Sequence, residues 1–237
     1  MSGHSKWKQI KYKKGAADAK RGAIFSRLSK VITLAAREGG DPAANFKLAT
    51  TIDQARAVNM PKDNIERAIA KGAGEEGGSE LREILYEGYG PAGVAILIQT
   101  VTDNVNRTVS EVRHILQKYG GSLATSNAVQ WNFEQKGVIR LEKAGQDREA
   151  LELAAIEAGA DDIKEEEDLF TITTAPKNLQ HLKEALASQG IKSEYAEMEY
   201  AAKNSVKLNE ADGAKLDSLI EALNELEDVN DYYTNAL

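Results

Sequence analysis

A glycine-rich, polar segment at residues 72–80 (GAGEEGGSE) divides the chain into two parts whose hydrophobic patterns differ. Before this segment, apolar residues recur at helical spacing, as in Phe25, Leu28 and Ile32. Glycine and proline mark where such helices stop and start. The pattern predicts three short helices, from Phe25 to about Ala35, from Asp41-Pro42 to about Val58, and from Pro61 to about Lys71. Three helices with short connections make a small bundle, and the polar segment makes a domain boundary.

After this segment, short β-type runs alternate with helical stripes. The predicted strands are 81–87, 94–101, 128–133, 138–141, 170–174, 193–200 and 228–233, with one more expected within Asp161–Glu165. The predicted helices cover 104–119, 147–158 and 176–188, and a last one carries Leu216, Leu219 and Leu223. The fold class is therefore α+β, an N-terminal three-helix bundle followed by two ferredoxin-like α/β sandwich domains, the last one inserted in the middle one. The expected domains are residues 1–78, residues 79–134 with 204–237, and residues 135–203.

The two parts of the chain also differ in charge. Residues 1–74 hold 15 Lys and Arg against 6 Asp and Glu, whereas the remainder holds 15 against 31, which gives the net charge of −7. The basic residues are densest near the N-terminus, where Trp7 and Tyr12 lie among them. Clustered cations can neutralise phosphates, and aromatic rings can stack on bases. The acidic remainder would repel the same polyanion, so one end of the chain is expected to make the contact.

Several classes of function are disfavoured by the sequence. The absence of cysteine excludes disulfides, thiolate nucleophiles and cysteine-based zinc sites. His4, His114 and His181 lack the spacing of metal ligands, so no metal is expected. Gly88–Gly93 matches the GxGxxG pattern, but an apolar strand follows it where a dinucleotide site needs a helix, so no cofactor is expected. We find no catalytic constellation, and no apolar run is long enough to cross a membrane. The chain is therefore predicted to be a cytoplasmic, non-enzymatic protein without a membrane partner.

A family resemblance is carried by motifs spread along the whole chain. They are Ser2–Trp7 (SGHSKW), Asp18–Arg21 (DAKR), Tyr86–Gly93 (YEGYGPAG), Thr102–Thr108 (TDNVNRT), Ser110–Arg113 (SEVR) and Gly120–Leu123 (GGSL). In this order they resemble the YebC family, also called the PmpR or translational activator of cytochrome oxidase family. The chain departs from the family pattern at Ala92 and Val105, where the family has Gly and Arg, and in the loop Ser126–Ala128. The resemblance implies a helical N-terminal domain with two α/β domains.

The resemblance leaves two nucleic-acid partners open. Some members of the family resemble DNA-binding transcriptional regulators, and others resemble ribosome-associated factors that help translation through proline-rich stretches. The predicted partner is therefore DNA or ribosomal RNA, with the ribosome itself included, and the oligomeric state stays open. The candidate contacts are His4, Lys6, Trp7, Lys8, Lys11, Lys13, Lys14, Lys20 and Arg21, with Arg107 as a second contact on the middle helix. A small-molecule enzyme using the 88–93 loop and a protein-interaction module using the acidic domains are the alternatives.

Overall fold

The computed structural model describes residues 18–74, 80–166, 168–193 and 195–237. These residues fall into two compact units, of which the first takes the described residues up to Phe133 together with Ala202–Leu237, and the second is Glu134–Ala201. The described helices are α1 Asp18–Ala36, α2 Phe46–Ala57, α3 Lys62–Gly72, α4 Val105–Lys118, α5 Arg148–Glu157, α6 Leu179–Ser188 and α7 Glu210–Glu225. The described strands are β1 Arg82–Tyr89, β2 Ala95–Thr102, β3 Ser122–Leu123, β4 Phe133–Glu142, β5 Asp162–Glu165, β6 Leu169–Thr174, β7 Tyr195–Ala202 and β8 Val229–Thr234.

The α+β class predicted from the sequence is confirmed. The finer division into domains 1–78, 79–134 with 204–237, and 135–203 stays a prediction.

Helices α1, α2 and α3 enclose a core of Ile32, Leu48, Ile52 and Ile65. Small residues let α3 approach α1 closely, and the hydroxyl of Thr33 donates to the carbonyl of Ala68 at 3.1 Å. One turn further along, Gly72 lies against the α1 backbone. A β-carbon at that position would lie 2.3 Å from the carbonyl oxygen of Thr33 and 2.6 Å from the β-carbon of Ala36. The glycine is therefore required by the packing of the two helices.

We expect Gly72→Ala to lower the free energy of unfolding by about 2 kcal/mol, because the added methyl group forces α1 and α3 apart. Glycine elsewhere in a helix behaves oppositely, and Gly213 in α7 supplies the matched control. A β-carbon at Gly213 meets nothing within 4 Å, so Gly213→Ala should raise stability by up to about 1 kcal/mol. Calorimetric melting of both variants measures the two effects. A higher melting temperature for Gly72→Ala would contradict the close packing of these helices.

The first sheet has the strand order β3-β1-β2-β8 and is antiparallel throughout. Helices α4 and α7 cover one face, where Val112, Leu116 and Leu219 pack on Ile98 and Tyr232. The C-terminal helix α7 and strand β8 thus complete a sheet that begins at Arg82. The chain leaves this sheet after β3 and returns to it with β8.

The second sheet has the strand order β5-β6-β4-β7. Along the chain its elements run strand, helix, strand, strand, helix, strand, which is the split βαβ arrangement of ferredoxin-like domains. Strand β5, Asp162–Glu165, is the strand that the sequence placed within Asp161–Glu165. Helices α5 and α6 contribute Leu151, Leu182 and Leu186 to the buried interior.

Three predicted elements are wrong in detail. The first helix begins at Asp18 rather than at Phe25. The second helix begins at Phe46 with Asn45 as its N-cap, rather than at Asp41-Pro42. The side chain of Asp41 instead accepts a hydrogen bond from the backbone of Ala43 in a local turn. Residues 128–133 do not form a strand of their own: they form a loop and a short 3₁₀ turn, Gln130–Asn132, before β4 begins at Phe133. The cause is a buried carboxylate, Glu87, which binds the backbone amides of this loop.

Candidate nucleic-acid interface

Most of the predicted contact residues precede the part of the chain that the structure describes. His4, Lys6, Trp7, Lys8, Lys11, Lys13 and Lys14 lie outside the described residues, so their role stays a prediction. Lys20 and Arg21 lie in the first turns of α1, and Arg21 is exposed. The segment that carries these residues, 1–21, is called the basic segment below. Its last four residues, Asp18–Arg21, form the start of α1.

Further along α1 and directly after it, three cations bind other parts of the same compact unit. The guanidinium of Arg27 is buried and donates from Nη2 to the carbonyl oxygens of Asn224 at 2.6 Å and Leu226 at 3.2 Å. Both carbonyls lie at the C-terminal end of α7, where the helix dipole favours positive charge. Arg37 donates to the carbonyl oxygen of Leu81 at 2.7 Å, just before β1. These bonds connect the helical domain to the first sheet, and they occupy charges that a polyanion would otherwise bind.

The third of these cations, Lys30, binds a buried carboxylate that also holds two threonines. Its Nζ lies 2.6 Å from Oδ1 of Asp228, whose side chain is only 2% exposed. The hydroxyls of Thr102 and Thr108 donate to Oδ2 of Asp228 at 3.0 and 2.7 Å. Burial alone would raise the pKa of Asp228, but the hydrogen bonds from its charged and hydroxyl donors outweigh it and hold the pKa at about 2. Asp228 therefore stays ionised and joins α1, β2 and the start of α4.

Arg107, the predicted second contact, is the remaining partner of this carboxylate. Asn104 caps α4 and accepts from the backbone of Arg107, which places the arginine in the first turn. Its Nη2 donates to Asp228 at 2.8 Å and to Asp103 at 3.0 Å. These hydrogen bonds raise the pKa of Arg107. Its side chain is 44% exposed, so a phosphate could reach it only in competition with two carboxylates.

The structural use of Arg27, Lys30 and Arg37 was not predicted from the sequence. A signal for it was present, because Arg27 and Lys30 lie on one side of α1 and Arg37, seven residues after Lys30, follows the end of the helix at the same spacing. That side differs from the apolar stripe of Phe25, Leu28 and Ile32. Basic residues on one side of a helix can therefore indicate packing against another part of the protein as readily as binding to a polyanion.

The glycine motif Gly88–Gly93 forms a tight connection between β1 and β2. Its short turn Pro91–Gly93 is followed at once by strand β2, and Ala92 takes a left-handed backbone conformation with φ of 55°. Among the described residues, no group of three or more His, Asp or Glu side chains could hold a metal ion. The described helices are also all too short or too polar to cross a bilayer.

The protein is an α+β protein, in which N-terminal helices are followed by two four-stranded sheets. Two family models match its sequence. Residues 5–75 match the model described as the TACO1/YebC protein N-terminal domain. Residues 81–236 match the model described as the TACO1/YebC second and third domain. The chain belongs to the TACO1/YebC family.

Similar proteins extend over nearly the whole chain. A probable transcriptional regulatory protein of Pelotomaculum thermopropionicum is 50% identical over 99% of this chain and 98% of its own length. A relative of the same description from Dehalococcoides mccartyi is 49% identical over 100% of this chain and 94% of its own length. The crystal structure of a conserved hypothetical protein from Aquifex aeolicus superposes with a TM-score of 0.86 at 42% identity, covering 93% of this chain and 91% of that one.

Proposed function

We propose that the protein is a non-enzymatic, nucleic-acid-binding regulator of gene expression that contacts phosphates through its basic segment. The observation that carries this proposal is the charge of the segment, in which seven Lys and Arg residues accompany a single acidic residue, Asp18. Its proposed phosphate contacts are Lys6, Lys8, Lys11, Lys13, Lys14, Lys20 and Arg21. His4 and Trp7 lie between them as groups that can insert or stack.

The bonds that cations in α1 and directly after it make within the protein support the choice of this segment. Arg27, Lys30 and Arg37 bind carbonyl groups and a carboxylate of the protein itself. Their charge is therefore unavailable to a polyanion without breaking those contacts. Arg107 is proposed as a weaker second contact, because Asp103 and Asp228 already bind its guanidinium.

For the partner we favour folded ribosomal RNA. A contact directed by phosphates and shape requires no helix that reads base edges in a groove. In α3, the third helix of the bundle, the Arg, Asn and Gln side chains that could read base edges are limited to the half-buried Asn64 and the exposed Arg67. Duplex DNA is the second candidate, because the relatives in Pelotomaculum and Dehalococcoides are described as probable transcriptional regulatory proteins. A cytoplasmic location suits both partners.

Sedimentation of cell lysate through a sucrose gradient tests the choice of partner. We expect the protein to migrate with ribosomal particles at low salt and to leave them as salt rises, because phosphate contacts weaken through counterion competition. Protein that stays at the top of the gradient at every salt concentration would contradict ribosome binding. Sequence-selective shifts of duplex DNA at physiological salt would then favour the transcriptional role.

A further inference from the structure

Two exposed aromatic rings lie together at the β3 edge of the first sheet. The side chain of Trp131 is 65% exposed and that of Tyr89 is 38% exposed. Nε1 of Trp131 donates to the carbonyl oxygen of Ala128 at 2.9 Å, and the hydroxyl of Tyr89 donates to the same oxygen at 3.3 Å. The polar edges of both rings are thus bound to one protein atom. Their exposed surface is left for an outside partner.

The loop that carries Trp131 is held in place by a buried carboxylate. Glu87, only 5% exposed, accepts hydrogen bonds from the backbone N–H groups of Asn127, Val129 and Gln130, the last two at 2.8 Å. Asn127 takes a left-handed conformation with φ of 65°, which turns the chain around the carboxylate. A fixed loop loses little conformational entropy when a ligand binds, so the rings are pre-organised.

The charge around the rings differs from that of the acidic part of the chain. Residues 112–133 contain no Asp or Glu, although acidic residues outnumber basic ones two to one after residue 74. Exposed Arg113 and Lys118 lie on α4 within this stretch, and the exposed Lys203 follows β7. Nζ of Lys203 donates to the carbonyl oxygen of Trp131 at 3.1 Å. The stretch 112–133 itself therefore presents no carboxylate to a polyanion.

Backbone packing connects the end of α4 to the aromatic pair. Tyr89 pairs with Ser122 in the sheet. A β-carbon at Gly121 would lie 2.3 Å from the carbonyl oxygen of Tyr89 and 3.2 Å from that of Leu116 in α4. Lys118 ends this helix, and its Nζ lies 5.4 Å from the ring centroid of Tyr119. Gly121 thus packs the C-terminal end of α4 against the backbone of Tyr89.

We propose that Tyr89 and Trp131, flanked by Lys118 and Lys203, form a platform on which unpaired bases of single-stranded RNA stack. Exposed rings accompanied by cations are the combination that single-strand-binding proteins use. A protein partner would favour an apolar centre, whereas the residues around Trp131, which include Thr125, Ser126 and Asn127, are polar and exposed. This platform is separate from the basic segment, and it adds base stacking to phosphate binding.

Fluorine NMR tests the stacking directly. The chain has two tryptophans, so full-length protein labelled with 5-fluorotryptophan gives two resonances, and Trp131→Phe assigns one of them. Short oligouridylate should shift the Trp131 resonance, whereas duplex RNA of equal length should leave it in place because its bases are not free to stack. An unshifted Trp131 resonance at saturating oligouridylate, or an equal shift with duplex, would overturn the proposal.

Affinity for the same oligouridylate gives the second readout. Trp131→Ala should weaken binding about tenfold, as expected for the loss of one stacked base. Tyr89→Phe should bind like the wild type, since it keeps the ring, and Tyr89→Ala should not. Ile156→Ala, which removes a side chain 66% exposed on α5, is the matched control and should change nothing. Unaltered affinity for both Trp131→Ala and Tyr89→Ala would overturn the platform.

The basic segment is tested separately in the same experiment. When its lysines are reversed to glutamate, affinity should fall, yet the Trp131 resonance should still shift at saturating oligouridylate. A lost shift in that variant at saturation would mean that the two contacts are not independent, and this would overturn the separate platform.

Discussion

Reversing Lys8, Lys11 and Lys14 to glutamate is expected to weaken binding to ribosomal RNA about 100-fold at moderate salt. Each lysine in contact with a phosphate displaces a condensed counterion, and each glutamate in its place repels the phosphate. Because phosphates carry no sequence information, the loss should be similar for RNAs of different sequence. Filter binding with purified ribosomal RNA measures the effect.

A matched control separates local contact from net charge. Lys177, Lys192 and Lys207 are exposed in the described structure and lie outside the basic segment. Reversing these three lysines changes the net charge of the protein by the same amount. We expect that control to lose less than about threefold, because it alters only the long-range field. Equal losses in the two triple variants would show that overall charge, rather than the basic segment, governs binding.

Asp228→Ala is expected to lower the free energy of unfolding by about 3 kcal/mol. The substitution leaves Lys30 without its carboxylate and removes an acceptor from the hydroxyls of Thr102 and Thr108, where the carboxylate is almost fully buried. Asp103→Ala removes the exposed partner of the same Arg107 and should cost less than about 1 kcal/mol. Urea unfolding at neutral pH compares the two variants. Similar costs for both would contradict the central role of Asp228.

Protonation of Asp228 at low pH should also lower the stability of the protein. The pKa of Asp228 is held near 2, below its ordinary value of 3.8. A carboxylate with a lowered pKa stabilises the folded state above its unfolded pKa, and this contribution disappears as the pH falls from about 4 through 2. The wild type should therefore lose stability across this window by more than Asp228→Ala does. Parallel pH profiles of the two proteins would contradict the assignment.

Local sequence signals predicted most of the helices and strands. They failed where a contact with a residue distant in sequence determines the structure. Both Asp41-Pro42 and Asn45 are good helix starts by local chemistry. Asn45 becomes the cap of α2 because its amide also donates to the carbonyl oxygens of Ala35 and Gly39 at the end of α1, each at 2.8 Å. The end of α1 leaves carbonyl groups without helical partners, and these acceptors lie too far from Asn45 in sequence to be considered in a prediction from local residues.

The same reason limits the prediction of the site. Arg107 lies just after a helix cap, and its sequence context suggested a phosphate contact. Its partner Asp228, however, lies 121 residues further along the chain. The loop before β4 has the composition of a strand, yet Glu87, about forty residues earlier, binds its amides and prevents pairing. Charge segregation, in contrast, requires no fold, which is why the basic segment could be found from composition alone.

The most direct test of phosphate binding by the basic segment is the dependence of RNA affinity on salt. The logarithm of the association constant should fall linearly with the logarithm of salt concentration for the wild type and for the Lys8, Lys11 and Lys14 triple reversal. We predict a slope that is shallower by about 2 to 3 in the triple variant, since each lost contact removes roughly 0.7 to 0.9 from it. Identical slopes for the two proteins would contradict the account.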